Sequence, residues 1–403
     1  METRDVTDAP LFRSFFSGGF ECSTHTRGDG VRLDMVAKTK HDVHGASDYR
    51  LLRDAGILTV RDGLRWHLIE RAPGEYDFSS VLPLLRAARD LGVQVIWDIC
   101  HYGWPDDLDV FAPEFVRRFA ALARAFTRLH VEETDAVPFL TPINEISFLA
   151  WAAGTMGFIH PFGVNRGDEL KAQLARATIA GIEAIWDVTR AARICHVDPV
   201  YNVVPQVDWP GDASAAEATR QLQYQTWDMV SGRMHPHLSG RPEYLDIIGV
   251  NYYAYNQWLY VDERDVGAPI VRGDPRYRPF RDILREVFER YGRPMFLAET
   301  GTEGEGRPEW FKYVCDETHA AIDAGVPMHG ICLYPVVNFP GWDDDRHCYN
   351  GLWDYADERG TREIYRPLAD ELARQQPRFG DRTPPALGAN PVSRNSRLCH
   401  RRG

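Results

Sequence analysis

The stretch Ser79–Cys100, SSVLPLLRAARDLGVQVIWDIC, decides the fold. Its first half repeats apolar residues at three- to four-residue spacing, which predicts a helix over Ser79–Leu91. Gly92 then stands where the left-handed residue that ends a helix belongs. Val93–Ile99 follows as a near-continuous apolar run. Strands buried on both faces read this way, as they do in parallel sheets. The same helix–Gly–strand junction recurs at Asp54-Ala55-Gly56-Ile57 and at Asp323-Ala324-Gly325-Val326.

Working outward, eight apolar runs predict strands: Phe15–Phe20, Ile57–Val60, Val93–Ile99, Pro138–Ile143, Arg193–Val197, Leu245–Tyr252, Pro294–Ala298 and Gly330–Tyr334. Further helical patterns lie between them at Pro113–Val131, Asp168–Arg190, Ser214–Val230, Phe280–Tyr291 and Pro308–Ala324. Eight strand–helix units predict an α/β chain folded as a single-domain (β/α)8 TIM barrel over residues 1–375. A doubly wound sheet competes, but no G-x-G-x-x-G follows an early strand. Surplus length falls after strands, at 147–167, 199–213 and 338–359, at the end of a barrel where sites are built. Residues 376–403, rich in Pro, Gly, Ser, Asn and Arg, predict a disordered basic tail.

The 403 residues carry a net charge of −12, which argues against a general nucleic-acid binder. The tail is about +5 (six Arg against Asp381), leaving about −17 on residues 1–375 and disfavouring anionic substrates. No run of about 18 apolar residues exists, so no membrane span is expected. Met1–Pro10 is polar and acidic, unlike a signal peptide. The seven cysteines are scattered and form no C-x-x-C pair, which predicts a reduced, cytoplasmic chain. Aromatic residues, 12% of the chain, serve either as core or as flat surfaces for sugar faces.

In a barrel, polar residues that end an apolar strand face the catalytic mouth. Strand by strand these are Glu21; Arg61 and Asp62; Asp98 and His101; Asn144 and Glu145; His196 and Asp198; Asn251, Tyr252 and Tyr253; Glu299; and Tyr334, Asn338 and Trp342. Glu145 and Glu299 end the fourth and seventh strands, so their carboxyls can face each other across a bound bond. Retaining glycosidases need two carboxyls about 5–5.5 Å apart, one an acid and one a nucleophile. A single strand-end Glu reads more simply as half of an ion pair. Two of them amid Asn, His, Arg, Tyr and Trp favour the chemistry.

Several motifs stand around this pair: Thr141-Pro142-Ile143-Asn144-Glu145, Arg61 five before Trp66, His101-Tyr102-Gly103-Trp104-Pro105, Gly249-Val250-Asn251-Tyr252-Tyr253 and Ala298-Glu299-Thr300-Gly301. Over about residues 12–375 they resemble family 1 of the glycoside hydrolases, the β-glucosidase family of the 4/7 superfamily. The matching family patterns are T-x-N-E-P, R-F-S-x-x-W, H-W-D-L-P, G-x-N-Y-Y and T-E-N-G. The resemblance implies that Glu145 is the general acid/base and Glu299 the nucleophile. It implies that Asn144 bonds the sugar 2-hydroxyl, His101 contacts a ring hydroxyl and Asn251 supports Glu145. Arg61 and Tyr253 would hold Glu299 ionised and oriented, with Tyr334 and Trp342 at the sugar floor. No cofactor or metal is implied.

The chain also departs from the family. Tyr334-Pro335-Val336-Val337-Asn338-Phe339-Pro340-Gly341-Trp342 replaces W-S-L-L-D-N-F-E-W, so the Glu that grips the 4- and 6-hydroxyls is Gly341. Asp343, Asp344 or Asp345 could replace it. The Gln expected after the first strand is absent, and Glu21 stands nearby. Asp343–Asp345 with His347 reads as a solvated loop rather than a metal cluster, because consecutive Asp cannot all face one ion. Glu303 and Glu305 read as loop charges. Tyr102, Trp104, Trp151, Tyr255 and Trp258 line an aglycone channel or pack in the core. Cys100 beside His101 suggests a Cys–His nucleophile but lacks a third partner. The expected function is a retaining β-glycosidase acting on a small carbohydrate. A transglycosylase that modifies a cellular glycan and a catalytically silent sugar-binding barrel are the alternatives.

Overall fold

The fold is described by a computed structural model covering residues 10–206, 212–262 and 266–382. Eight parallel strands close into a barrel: β1 (Phe16–Gly19), β2 (Thr59–Gly63), β3 (Gln94–Cys100), β4 (Phe139–Ile143), β5 (Arg193–Pro199), β6 (Ile247–Asn251), β7 (Met295–Thr300) and β8 (Met328–Leu333). Each overlaps one of the eight apolar runs, β2 by only Thr59 and Val60, and β1 pairs with β8 to close the ring. Around them lie α1 (His41–Asp54), α2 (Leu82–Leu91), α3 (Pro113–Glu133), α4 (Gly167–Trp186), α5 (Ala213–Gln221), α6 (Phe280–Tyr291), α7 (Arg307–Asp323) and α8 (Arg366–Gln375). Gly56, Gly92 and Gly325 all take the left-handed conformation at their helix–strand junctions.

Three expectations shift. Helix Ser214–Val230 is broken: α5 stops at Gln221, a 3-10 turn follows, and Gln225–Val230 resumes. The helix predicted over Asp168–Arg190 ends at Trp186. The boundary at residue 375 moves outward. A further turn, Gln376–Arg382, carries Phe379 into the core, stacked 4.3 Å from Phe15. The rest of the predicted tail, 383–403, lies outside the described residues. The long segments after strands are partly ordered by small sheets. Asn202–Val204 pairs with Gln257–Leu259, Phe339–Pro340 with His347–Cys348, and Trp353–Ala356 with Arg362–Ile364.

Two apolar layers hold the barrel. Helices pack on its outer face, as where Trp97 of β3 meets Phe126 of α3 at 5.7 Å. Inside, Phe12, Ile96, Phe139, Cys195, Val197, Ile247, Phe296 and Ala298 form a floor. Phe12 closes it, 5.1 Å from Phe296 and 5.7 Å from Phe139. Burying one such ring contributes roughly 1.5–3 kcal/mol. Side chains alternate along a strand, so Ile96 below places Asp98 of the same face above it, toward the mouth. Gly19 permits a close approach there: a Cβ at residue 19 would lie 2.1 Å from the Tyr334 ring.

Candidate active site

Glu145 sits in the turn from β4 into the short helix Ile146–Leu149, with φ 43° and ψ 58°. This left-handed geometry costs about 1–2 kcal/mol for a residue with a Cβ. It is held by Glu145 N–H to Val197 O and Asn144 N–H to Cys100 O, both 3.0 Å. Asp198 of β5 anchors the chain two residues on, accepting from Ser147 N–H (3.0 Å) and the Ser147 hydroxyl (2.9 Å). Glu299 is placed by register, opposite Asn251 where the β6–β7 ladder shifts.

The two carboxyls meet different partners. Glu299, 4% exposed, receives Arg61 Nη1 at 2.9 Å and the Tyr253 hydroxyl at 2.8 Å. Among the described residues no cation pairs with Glu145. Asn251 Nδ2 donates to its Oε1 at 2.8 Å, and the Tyr102 hydroxyl donates to its Oε2. Burial, with the charge of Glu299 across the mouth, raises the Glu145 carboxyl to about 8. Tyr102 and Asn251 oppose that rise by bonding the ionised form. One carboxyl is therefore charge-paired and the other is poised to hold a proton near neutrality.

Arg61, 0% exposed, ties the site together. Besides Glu299 it bonds Asp98 Oδ2 (2.6 Å), Asn144 Oδ1 (3.0 Å) and Ala298 O (3.0 Å). Asn144 Oδ1 thus accepts, and its Nδ2 must donate, to His101 Nε2 (3.1 Å) and to the Tyr102 hydroxyl (3.2 Å). The network assigns His101 as the tautomer protonated on Nδ1, which faces Asp98 Oδ2 at 3.2 Å. Direction then runs one way, from Arg61 through Asn144 and Tyr102 to Glu145. Cys22 Sγ also lies 3.2 Å from His101 Nδ1. Cys22, Asp98 and His101 have the spacing of metal ligands, but Asp98 Oδ2 is committed to Arg61 and His101.

A cavity of about 310 Å³ opens at this mouth. Seven of the ten predicted site residues line it: Glu21, His101, Glu145, Tyr253, Glu299, Tyr334 and Trp342. Arg61, Asn144 and Asn251 lie beneath, bonded to them. A larger cavity, about 560 Å³, opens at the opposite end of the barrel beside Arg13, Val93 and His130. It contains neither carboxyl, and barrel chemistry sits at the strands' C-terminal ends.

The other candidates sort by contact. His196 Nε2 bonds Tyr244 O (2.7 Å), and Asn338 bonds Asp354 and Gly351 N–H, so both are structural. Trp104 is buried against Phe115, 5.4 Å away, in the core. Tyr255, exposed, lines the cavity with Phe148, and Trp151 packs on Phe148 at 6.0 Å. Asp343, Asp344 and Asp345 do not reach the cavity; Asp345 pairs with Arg27 and Lys38. The acid in that wall is Glu303, bound at both oxygens by Arg346 (2.5 and 2.8 Å). Burial pushes the Cys100 thiol up to about 12, which removes it as a nucleophile. Tyr102 was not foreseen as a partner of Glu145; its one signal is Tyr where the family motif has Trp.

No protein-family model matches the chain, and no curated protein matches it. Solved structures do. The family 1 β-glucosidase from Thermotoga maritima superposes with a TM-score of 0.73 at 14% identity, covering 91% of this chain and 98% of that one. The fold is that of the family 1 β-glucosidases. The Thermotoga maritima β-glucosidase in complex with glucoimidazole gives 0.72 at 15% identity, over 91% and 99%. A hyperthermophilic β-glucosidase mutant gives 0.70 at 14%, over 89% and 99%. The likeness thus extends over 91% of this chain, while sequence identity is low. No helix among the described residues is long and apolar enough to cross a membrane.

Proposed function

We propose that this protein is a retaining β-glycosidase acting on a small glycoside or oligosaccharide. The observation that carries the reading is the asymmetry of its two carboxyls: Glu299 is salt-bridged to Arg61, and Glu145 is raised to about 8 among neutral donors. One carboxyl paired with a cation and the other poised to hold a proton, in one mouth, suit nucleophile and acid roles. Glu299 attacks the anomeric carbon as Glu145 protonates the departing oxygen, giving a glycosyl ester on Glu299. Glu145, now ionised, takes a proton from water, which attacks the same carbon and releases Glu299. Tyr253 and Arg61 orient the nucleophile; Asn251 and Tyr102 orient the acid/base. All six described cysteines are free and buried, which supports a reducing, cytoplasmic location.

The test is kinetic. Glu299→Gln removes the nucleophile and is expected to lower kcat by roughly 10³-fold or more on an aryl β-glycoside panel. A 2-fluoro glycoside should label Glu299 covalently, read by peptide mass. Glu145→Gln should spare activated aryl leaving groups more than alkyl ones. Full activity in both variants rules the reading out. Product that forms only with an acceptor sugar would make the protein a transglycosylase.

A further inference from the structure

We propose that Glu21 makes this site selective for a glycoside whose sugar carries a positively charged amino group. The inference rests on the glycosidase reading and names its substrate class. Glu21 follows β1 and lines the same cavity as Glu145 and Glu299. It is 6% exposed, and one oxygen accepts from Ser23 N–H at 3.0 Å. Among the described residues no Lys or Arg pairs with it.

Of the four glutamates that line the cavity, Glu299 has Arg61 and Glu303 has Arg346, while among the described residues Glu145, the proposed proton donor, and Glu21 have no such partner. The groups facing Glu21 are Glu299 from β7, Tyr334 from β8 and His101 from the end of β3. His101 lies close enough to lower the Glu21 carboxyl, but its ring nitrogens bond Asp98 and Asn144, so it forms no direct ion pair with Glu21. A second group points the same way. Tyr334, 2% exposed, lines the cavity, and its hydroxyl has no hydrogen-bond partner among the described residues. Carboxylate and hydroxyl together offer acceptors to an incoming donor.

Topology says which half of the substrate they meet. Glu145, which protonates the leaving oxygen, follows β4, whereas Glu21 and Tyr334 follow β1 and β8 on the far side of the ring. They therefore face the sugar whose anomeric carbon Glu299 attacks, not the leaving group. A neutral sugar entering here displaces water and strands Glu21 unless it takes up a proton, and burial already pushes it upward. An ammonium instead supplies the missing countercharge through a charge-assisted hydrogen bond. The acidity of the barrel agrees in sign.

The experiment compares aryl β-glucoside with its 2-, 3-, 4- and 6-aminodeoxy analogues in the wild type and Glu21→Gln, at pH 6.5. The wild type is expected to favour one aminodeoxy analogue at least tenfold in kcat/KM. In Glu21→Gln that preference should fall to near unity, with the neutral parent improved. Covalent labelling of Glu299 by a 2-fluoro glycoside shows independently that the machinery works. Labelling with no amine preference, or a preference that survives Glu21→Gln, overturns the assignment alone. Neither labelling nor turnover of any analogue overturns the glycosidase reading and this inference with it.

Discussion

Arg61 and Asp62 are neighbours on β2, equally buried, and face opposite sides of the strand. Asp62 turns outward to α1, where it receives His41 Nε2 (2.9 Å) and the Tyr49 hydroxyl (2.6 Å). His41 Nδ1 reaches Asp48 at 2.7 Å, and Arg362 binds Asp48 at both oxygens (2.6 and 2.9 Å). Both imidazole nitrogens face carboxylates, so His41 is held charged, up to about 9. That network is closed. Arg61 turns inward, and its network ends at a cavity. Arg61 Nε, Asn251 Oδ1 and the Tyr334 hydroxyl have no partner among the described residues. A closed buried network serves the fold; one left open serves a ligand.

Substitutions on the two sides should part stability from activity. Arg61→Met strands Asp98 and Glu299 without a countercharge. It should cost about 3–5 kcal/mol in urea unfolding and remove activity even where the variant is folded. Asp62→Asn should cost about 3 kcal/mol while leaving kcat/KM of the folded fraction within about threefold. Activity loss in Asp62→Asn as large as in Arg61→Met would erase the distinction.

The outer network also has a pH signature. The His41 value is about 9 when folded and 6.5 when unfolded, so its contribution is complete below pH 6.5 and is lost as pH rises through 9. Wild-type stability should fall by about 3 kcal/mol across that window, at 1.36 kcal/mol per unit. In Asp62→Asn the fall should come at lower pH. The smallest expected effect belongs to Tyr102→Phe. The lost donor stabilised the Glu145 carboxylate, so the basic limb of kcat/KM, near pH 8, should move upward. Activity should fall about tenfold, mainly in kcat. An unmoved limb would detach Tyr102 from Glu145.

The eight strands were legible because burial on both faces leaves continuous apolar runs that few other elements produce. Helix α1 was not, because its buried face, His41, Gly45, Asp48, Tyr49 and Leu52, mixes two charged groups and a glycine with only two apolar side chains. Phe379 was hidden in a segment whose Pro, Gly and Arg read as tail; one ring stacked on Phe15 extends the fold there. In the site, strand-end position brought ten residues to one mouth. The proton directions through Asn144 and the link from Tyr102 to Glu145 depend on register between strands, which no local pattern encodes.

The outer network has one further consequence, in time rather than space. Asp48 bonds Arg362, 314 residues later. At about 5–20 residues per second, synthesis separates the two by roughly 15–60 s. Over most of that interval β1 has β2 on one side and nothing on the other, because its second partner is β8. The finished ring has no edge, but the nascent chain carries one almost to the end of its synthesis. The protein is most exposed to faulty strand pairing while it is still on the ribosome.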